Sequence, residues 1–150
     1  MIRDDIKAAL VVAMKAGEKQ RTATIRLIQS AIKNRDIELR TADKAPDDDA
    51  LVTEVLQKMI KQRRESITLY EQGGRAELAE QEKAEVAVIE DFLPAQMSDD
   101  ETKAAIDAIA AEIGASSVKD MGRVMAVLKE RHATALDMSK ASGLVKARLG

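Results

Sequence analysis

Helix-forming side chains run through this sequence almost without interruption: Ala, Leu, Ile, Met, Glu, Lys and Arg dominate, β-branched runs are missing, and only two prolines occur, Pro46 and Pro94. Alanine and straight-chain residues lose little conformational freedom in a helix, whereas sheets draw on β-branched and aromatic residues. The pattern predicts helix nearly throughout and no sheet. A first helix is predicted from Asp4 to Ala16, with Ile6, Leu10 and Ala13 on one face and Gly17 as its stop. A second runs from Glu18 to Thr41 on the stripe Ile25, Ile28 and Ile32. The stretch from Asp43 to Asp49 combines turn formers with N-cap acids, so it reads as a loop feeding a third helix from Ala50 to Gln72, which Gly73-Gly74 ends. A fourth covers Arg75 to Phe92, and Pro94 forbids its continuation. Ser98-Asp99-Asp100-Glu101 has capping-box spacing and starts a fifth helix that stops at Gly114. Two shorter helices follow. Ser117 to His132 points Val118, Met121, Met125 and Leu128 inward, and Asp137 to Leu149 points Met138, Ala141, Val145 and Leu149 inward. Pro94 is the best domain boundary.

Composition narrows the chemistry. Lys and Arg total 24 against 26 Asp and Glu, so a net charge of -2 predicts no global attraction to nucleic acid or anionic lipid, and any such affinity must be local. The charge is segregated: residues 1–75 carry 15 basic and 12 acidic side chains, 76–101 carry 1 and 9, and 102–150 carry 8 and 5. With no Cys and one His there is no disulfide framework, thiolate nucleophile or Cys/His metal site, and no metal or cofactor is expected. No apolar run reaches the 18 or so residues a membrane helix needs, and Met1-Ile2-Arg3-Asp4-Asp5 opens with acids rather than a signal peptide. A soluble cytoplasmic protein without membrane contact is the expectation.

Helical phase separates ordinary faces from odd ones. The fourth helix's stripe is Leu78, Val86, Ile89, Phe92 and Leu93, and its centre also holds Glu82 and Glu85. On the third helix the stripe Val52, Leu56, Met59, Ile67 and Tyr70 contains Arg63. An unpaired buried charge is costly, so the economical arrangement is a structural ion pair of Arg63 with Glu82 or Glu85 across antiparallel helices. The other use of two carboxylates one turn apart is a general acid/base pair or a hard-cation site, but no Ser, Cys or His nucleophile accompanies them. His132 ends a helix, where an imidazole favours the macrodipole. No catalytic residue is assigned.

Basic residues form two local sets. Arg26, Lys33 and Arg40 recur every seven residues, so they share one helix edge at intervals of roughly 10 Å. Between Val118 and Gly150, Lys119 and Arg123 sit one turn apart beside a smooth strip of Gly122 and Ala126, which would let a phosphate backbone approach closely. Two bland readings stand beside this one: such charges commonly form a solvated face, and a Gly/Ala strip commonly marks helix packing. Tyr70 and Phe92 are the only aromatics and fall on core faces, so no stacking platform for unpaired bases can be built. RNA recognition would rest on phosphates and shape. No glycine-rich phosphate loop of either common spacing is present.

The run Lys61-Gln62-Arg63-Arg64-Glu65-Ser66, then Tyr70, Gly74-Arg75, Glu82, Glu85 and Phe92-Leu93-Pro94-Ala95-Gln96-Met97-Ser98, resembles the YqeY-like proteins. So do Asp120-Met121-Gly122-Arg123-Val124-Met125, Asp137-Met138 and Val145-Lys146-Ala147-Arg148-Leu149. Thr134 stands where the family more often has Gly. The resemblance covers essentially the whole chain. It implies an all-α protein of two small subdomains: a helical bundle over 1–95, and a three-helix unit over 96–150 similar to the tail of the B subunit of the tRNA-dependent amidotransferase that converts Glu-tRNA(Gln) or Asp-tRNA(Asn). That tail contacts tRNA while other parts hydrolyse glutamine and use ATP. The resemblance therefore implies a noncatalytic module associated with glutamine-dependent carbon–nitrogen ligation, with tRNA or a protein of a tRNA-linked assembly as partner. It places Lys119, Arg123 and Lys146 as phosphate contacts, Gly122 as the point of close approach, and Asp137 as a helix cap. The alternative is an accessory subunit that docks on a protein without touching RNA.

Overall fold

A computed structural model describes residues 1–42 and 47–150. Asp43 to Pro46, the first part of the predicted loop, lie outside the described residues. The chain is all-helical, and no strand occurs among the described residues. The α-helices are α1 (Ile2–Lys15), α2 (Lys19–Glu38), α3 (Asp48–Gln72), α4 (Ala76–Glu90), α5 (Asp99–Ile113), α6 (Met121–His132) and α7 (Met138–Leu149). Two 3₁₀ turns, Leu39–Thr41 and Val118–Asp120, extend α2 and precede α6.

Helix ends follow local chemistry. Asp47 caps α3, its carboxylate accepting from the Ala50 amide at 3.3 Å. Ser98 and Glu101 form a reciprocal capping box on α5, each satisfying an amide that a helix start leaves unpaired. Asp137 caps α7 by accepting from the amides of Ser139 and Lys140. Gly114 ends α5 at φ +69°, a left-handed conformation in which any side chain would meet its own carbonyl. Gly17, at φ +70°, makes the tight reversal from α1 to α2.

The chain divides into two compact units, Met1–Leu93 and Pro94–Gly150. The first contains α1 to α4 around Ile6, Ile25, Ile28, Val52, Leu56 and Ile89. The second contains α5 to α7 around Ile106, Ile109, Val124, Leu128 and Val145. Each fully buried aliphatic side chain contributes about 1.5–3 kcal/mol.

Three sequence expectations change. Leu78 is 37 % exposed and Val118 46 % exposed, although helical phase points both inward. Burial on α3 stops at Ile60, and the remaining turns pair with α4 as a two-helix arm, which cannot enclose Leu78 near its tip. Val118 lies in a 3₁₀ turn rather than in α6, so the 3.6-residue phase does not extend back to it. The turn arises because the Asp120 carboxylate gathers the amides of Ser116 and Ser117, at 3.0 and 3.4 Å, before the helix begins. The predicted second helix likewise gives way to a 3₁₀ turn at Leu39, and Arg40 lies in that turn.

Candidate nucleic-acid interface

In the second unit the corner between α5 and α6 organises the basic residues. The Asp120 carboxylate is held below the usual carboxylate range, first by the Ser116 amide that donates to it, with Ser117 and Arg123 adding to the effect. Arg123 donates from Nη1 to Asp120 Oδ1 at 3.3 Å and from Nη2 to the Ile113 carbonyl at 2.6 Å. A carbonyl at the C-terminal end of a helix has lost its intrahelical partner. Arg123 supplies that partner, so its guanidinium ties α6 to the end of α5.

The neighbouring cations separate into paired and unpaired. Arg131 clasps Glu112 with two bonds of 2.8 and 2.9 Å, Arg148 meets Asp107 at 2.5 Å, and Lys140 meets Asp99 at 2.8 Å. Lys119, Lys129 and Lys146 are exposed and have no ion-pair partner among the described residues. The end of α7 abuts the 118–120 turn, since a Cβ on Gly150 would lie 3.7 Å from Val118 Cγ2. Lys146, one turn before Gly150, and Lys119 are therefore carried at one end of the unit. A Cβ added to Gly122 would meet nothing within 4 Å, so no neighbouring helix of this unit packs on that strip. Lys129 was not singled out from the sequence. Its signal is the seven-residue interval from Gly122, which puts it on the same exposed face two turns on. Thr134, where the family more often has Gly, accepts from Gln96 Nε2 at 2.8 Å through its carbonyl, and no non-glycine residue among those described has positive φ.

In the first unit Arg26 and Lys33 lie on one exposed edge of α2, and Arg40 follows in the 3₁₀ turn. Arg63 sits between α3 and α4 with its side chain 15 % exposed. Its Nε donates to Glu85 Oε2 at 2.9 Å and lies 3.8 Å from Glu82 Oε2, while Nη1 donates to the Met59 carbonyl at 3.3 Å. Burial raises the Glu82 carboxyl above its usual range, and the nearby Glu85 adds to this. A carboxyl raised by folding contributes stability that is complete below its unfolded range and is lost as pH rises through the elevated folded value. Glu82→Gln is therefore expected to be more stable than the wild type at pH 7, with the advantage shrinking toward pH 4. Urea titrations at the two pH values read this directly, and an equal change at both would contradict it.

Among the described residues no group of three His, Cys, Asp or Glu is placed to hold a metal ion. No helix among them is long and apolar enough to cross a membrane.

Fold and surface together define an all-helical chain of two compact units that displays unneutralised lysines beside ion-paired arginines. The family model described as Yqey-like protein matches residues 3–149, and the chain belongs to that family. It is 33% identical over 89 residues to "Altered inheritance of mitochondria protein 41, mitochondrial" of Lachancea thermotolerans, covering 59% of this chain and 46% of that protein. The protein of the same name from Kluyveromyces lactis is 33% identical over 87 residues, covering 58% of this chain and 45% of its own length. The one from Eremothecium gossypii is 36% identical over 90 residues, 60% of this chain and 48% of its own length. The matched segment thus spans about half the length of these curated relatives. Their names correct one expectation. The cytoplasmic assignment rested on the acidic opening and the lack of an apolar span, and relatives named as mitochondrial overturn it.

Proposed function

We propose that the chain is a noncatalytic module that binds tRNA, or an assembly carrying tRNA, through phosphate contacts. The observation that carries the reading is the selective neutralisation of the second unit. Arg131, Arg148 and Lys140 are consumed by ion pairs, while Lys119 and Lys146 stand exposed at one end near the open Gly122 strip. Unpaired ammonium groups release counterions from a phosphate backbone, whereas neutralised ones do not. The likeness to the amidotransferase tail supplies tRNA as the RNA class, and the association with glutamine-dependent carbon–nitrogen ligation is read as service to such an enzyme. Arg123 contributes by holding the α5–α6 corner and with whatever donors its two structural bonds leave open.

The double substitution Lys119→Ala/Lys146→Ala is expected to weaken tRNA binding and to flatten its salt dependence by roughly 0.7 to 0.9 log units per lost contact. Titrations followed by fluorescence anisotropy at several salt concentrations check this. Arg123 is left in place because its loss would also loosen the corner. A protein-docking role without RNA contact is favoured by one feature, Leu69, which is 67 % exposed near the α3–α4 tip. Salt-insensitive partner capture that survives ribonuclease, with no tRNA affinity, would establish that role instead.

A further inference from the structure

The basic edge of α2 does not face solvent alone, because α1 returns alongside it. A cleft of about 250 Å³ between the two helices is lined by Arg3, Ile6 and Lys7 from α1 and by Gln29, Ile32, Lys33 and Asp36 from α2. Ile6 and Ile32 are buried beneath it. Arg26 lies farther along the same groove, with Nη2 4.0 Å from Met14 Sδ of α1. Arg40 lies at the other end, near enough for its charge to help lower the Asp36 carboxyl.

The groove's cations differ in availability. Arg3 donates twice to Asp36, at 2.9 and 3.1 Å, and also binds Asp48 at 2.8 Å. Both carboxylates are thereby occupied, and the hydrogen bond from Arg3 is the main reason Asp36 stays below its usual range. Lys7 and Lys33 are exposed and have no ion-pair partner among the described residues. Two lysines without an ion-pair partner therefore line one concave surface in which Asp36 is already engaged by Arg3. Like charges held together repel, and an anion between them removes that cost. The Gln29 amide adds a neutral hydrogen-bond donor on the same wall. No aromatic side chain lines the groove, so no base can stack there, and the two free ammonium groups favour an anion, which makes the phosphate the recognised group.

We infer that the α1–α2 groove is a second phosphate-contacting site, in which Lys7 and Lys33 hold one phosphate of an RNA chain and Arg26 and Arg40 hold others to either side. This rests on the RNA-binding reading and adds to it a contact surface in the first unit, with Lys7 as a residue the sequence did not suggest. Arg26 and Lys33, seven residues apart on α2, lie roughly 10 Å apart along its axis, a spacing that suits a backbone lying along the groove rather than a compact single anion.

The test is a tRNA titration by fluorescence anisotropy on the full chain over a range of salt. Lys7→Ala/Lys33→Ala is expected to bind roughly tenfold more weakly at about 0.1 M salt, with a slope shallower by roughly 0.7 to 0.9 per lost contact. Lys7→Arg/Lys33→Arg should retain most of the affinity. The control Lys15→Ala/Lys61→Ala removes the same charge from exposed positions of the same unit outside the groove and should change binding by less than about twofold. Circular dichroism on each variant confirms that helix content is kept. If the wild type binds tRNA and the groove variant matches the control, the groove is overturned while the RNA-binding reading stands. If the wild type binds no tRNA, both fall together.

Discussion

Replacing Arg63 with Ala is expected to destabilise the first unit by about 3 kcal/mol, because it strands two carboxylates rather than removing a surface charge. The side chains of Arg63, Glu82 and Glu85 are only 15, 22 and 16 % exposed. The guanidinium also donates to the Met59 carbonyl, so α3 loses a bond of its own. The loss should be greatest near neutral pH and should shrink toward acid, where the Glu82 carboxyl, already raised by burial, takes up its proton and no longer repels its neighbour. A triple substitution, Arg63→Met/Glu82→Leu/Glu85→Leu, should recover most of the stability, since replacing a complete buried ion cluster with apolar groups is often neutral or better. Chemical denaturation across pH measures all three. A loss below about 1 kcal/mol that does not vary with pH would show the cluster to be solvated like an ordinary surface pair.

Leu128→Ala should have a comparable effect on the stability of the second unit. Leu128 is fully buried in a cluster with Ile106, Ile109, Val124 and Val145. Truncating a core leucine costs about 2–5 kcal/mol, according to how far the cavity collapses. A unit spanning Pro94–Gly150 has stability on the order of 3–9 kcal/mol if it follows the usual 0.05–0.15 kcal/mol per residue. The substitution therefore removes a large share of it. Amide exchange at Val124 and Val145 should accelerate sharply, while Ile28 and Leu56 stay protected, because their core shares no residue with that of Leu128. Under the proposed RNA-binding role, affinity for tRNA should fall as well, because Lys119 and Lys146 lose their common frame. Leu128→Met keeps the volume and should cost less than about 1.5 kcal/mol. Unchanged exchange at Val124 in the Ala variant would sink the expectation.

Much of this molecule is legible in its sequence. The capping box at Ser98 and Glu101, the left-handed stop at Gly114 and the Asp137 cap are decided within four residues of chain. The apolar stripes follow from the helical period and identify most of the first core but only half of the second, whose Ile106, Ile109 and Val124 lie on none of them. Where a local rule fails, another local force wins: Asp120 draws in the Ser116 and Ser117 amides and converts the expected start of α6 into a 3₁₀ turn.

The status of each cation was not legible. Arg123 and Lys119 look alike in sequence, yet one spans ten residues to the Ile113 carbonyl and the other remains unpaired among the described residues. Arg148 is neutralised by an acid 41 residues away, and Arg3 by acids 33 and 45 residues away. Local propensity, capping and phase were set by the sequence because they act along a single helix, over three to seven positions. Which charges are spent and which stay open to a ligand was decided only when helices packed, because a salt bridge depends on placement to within an ångström and no periodicity records it.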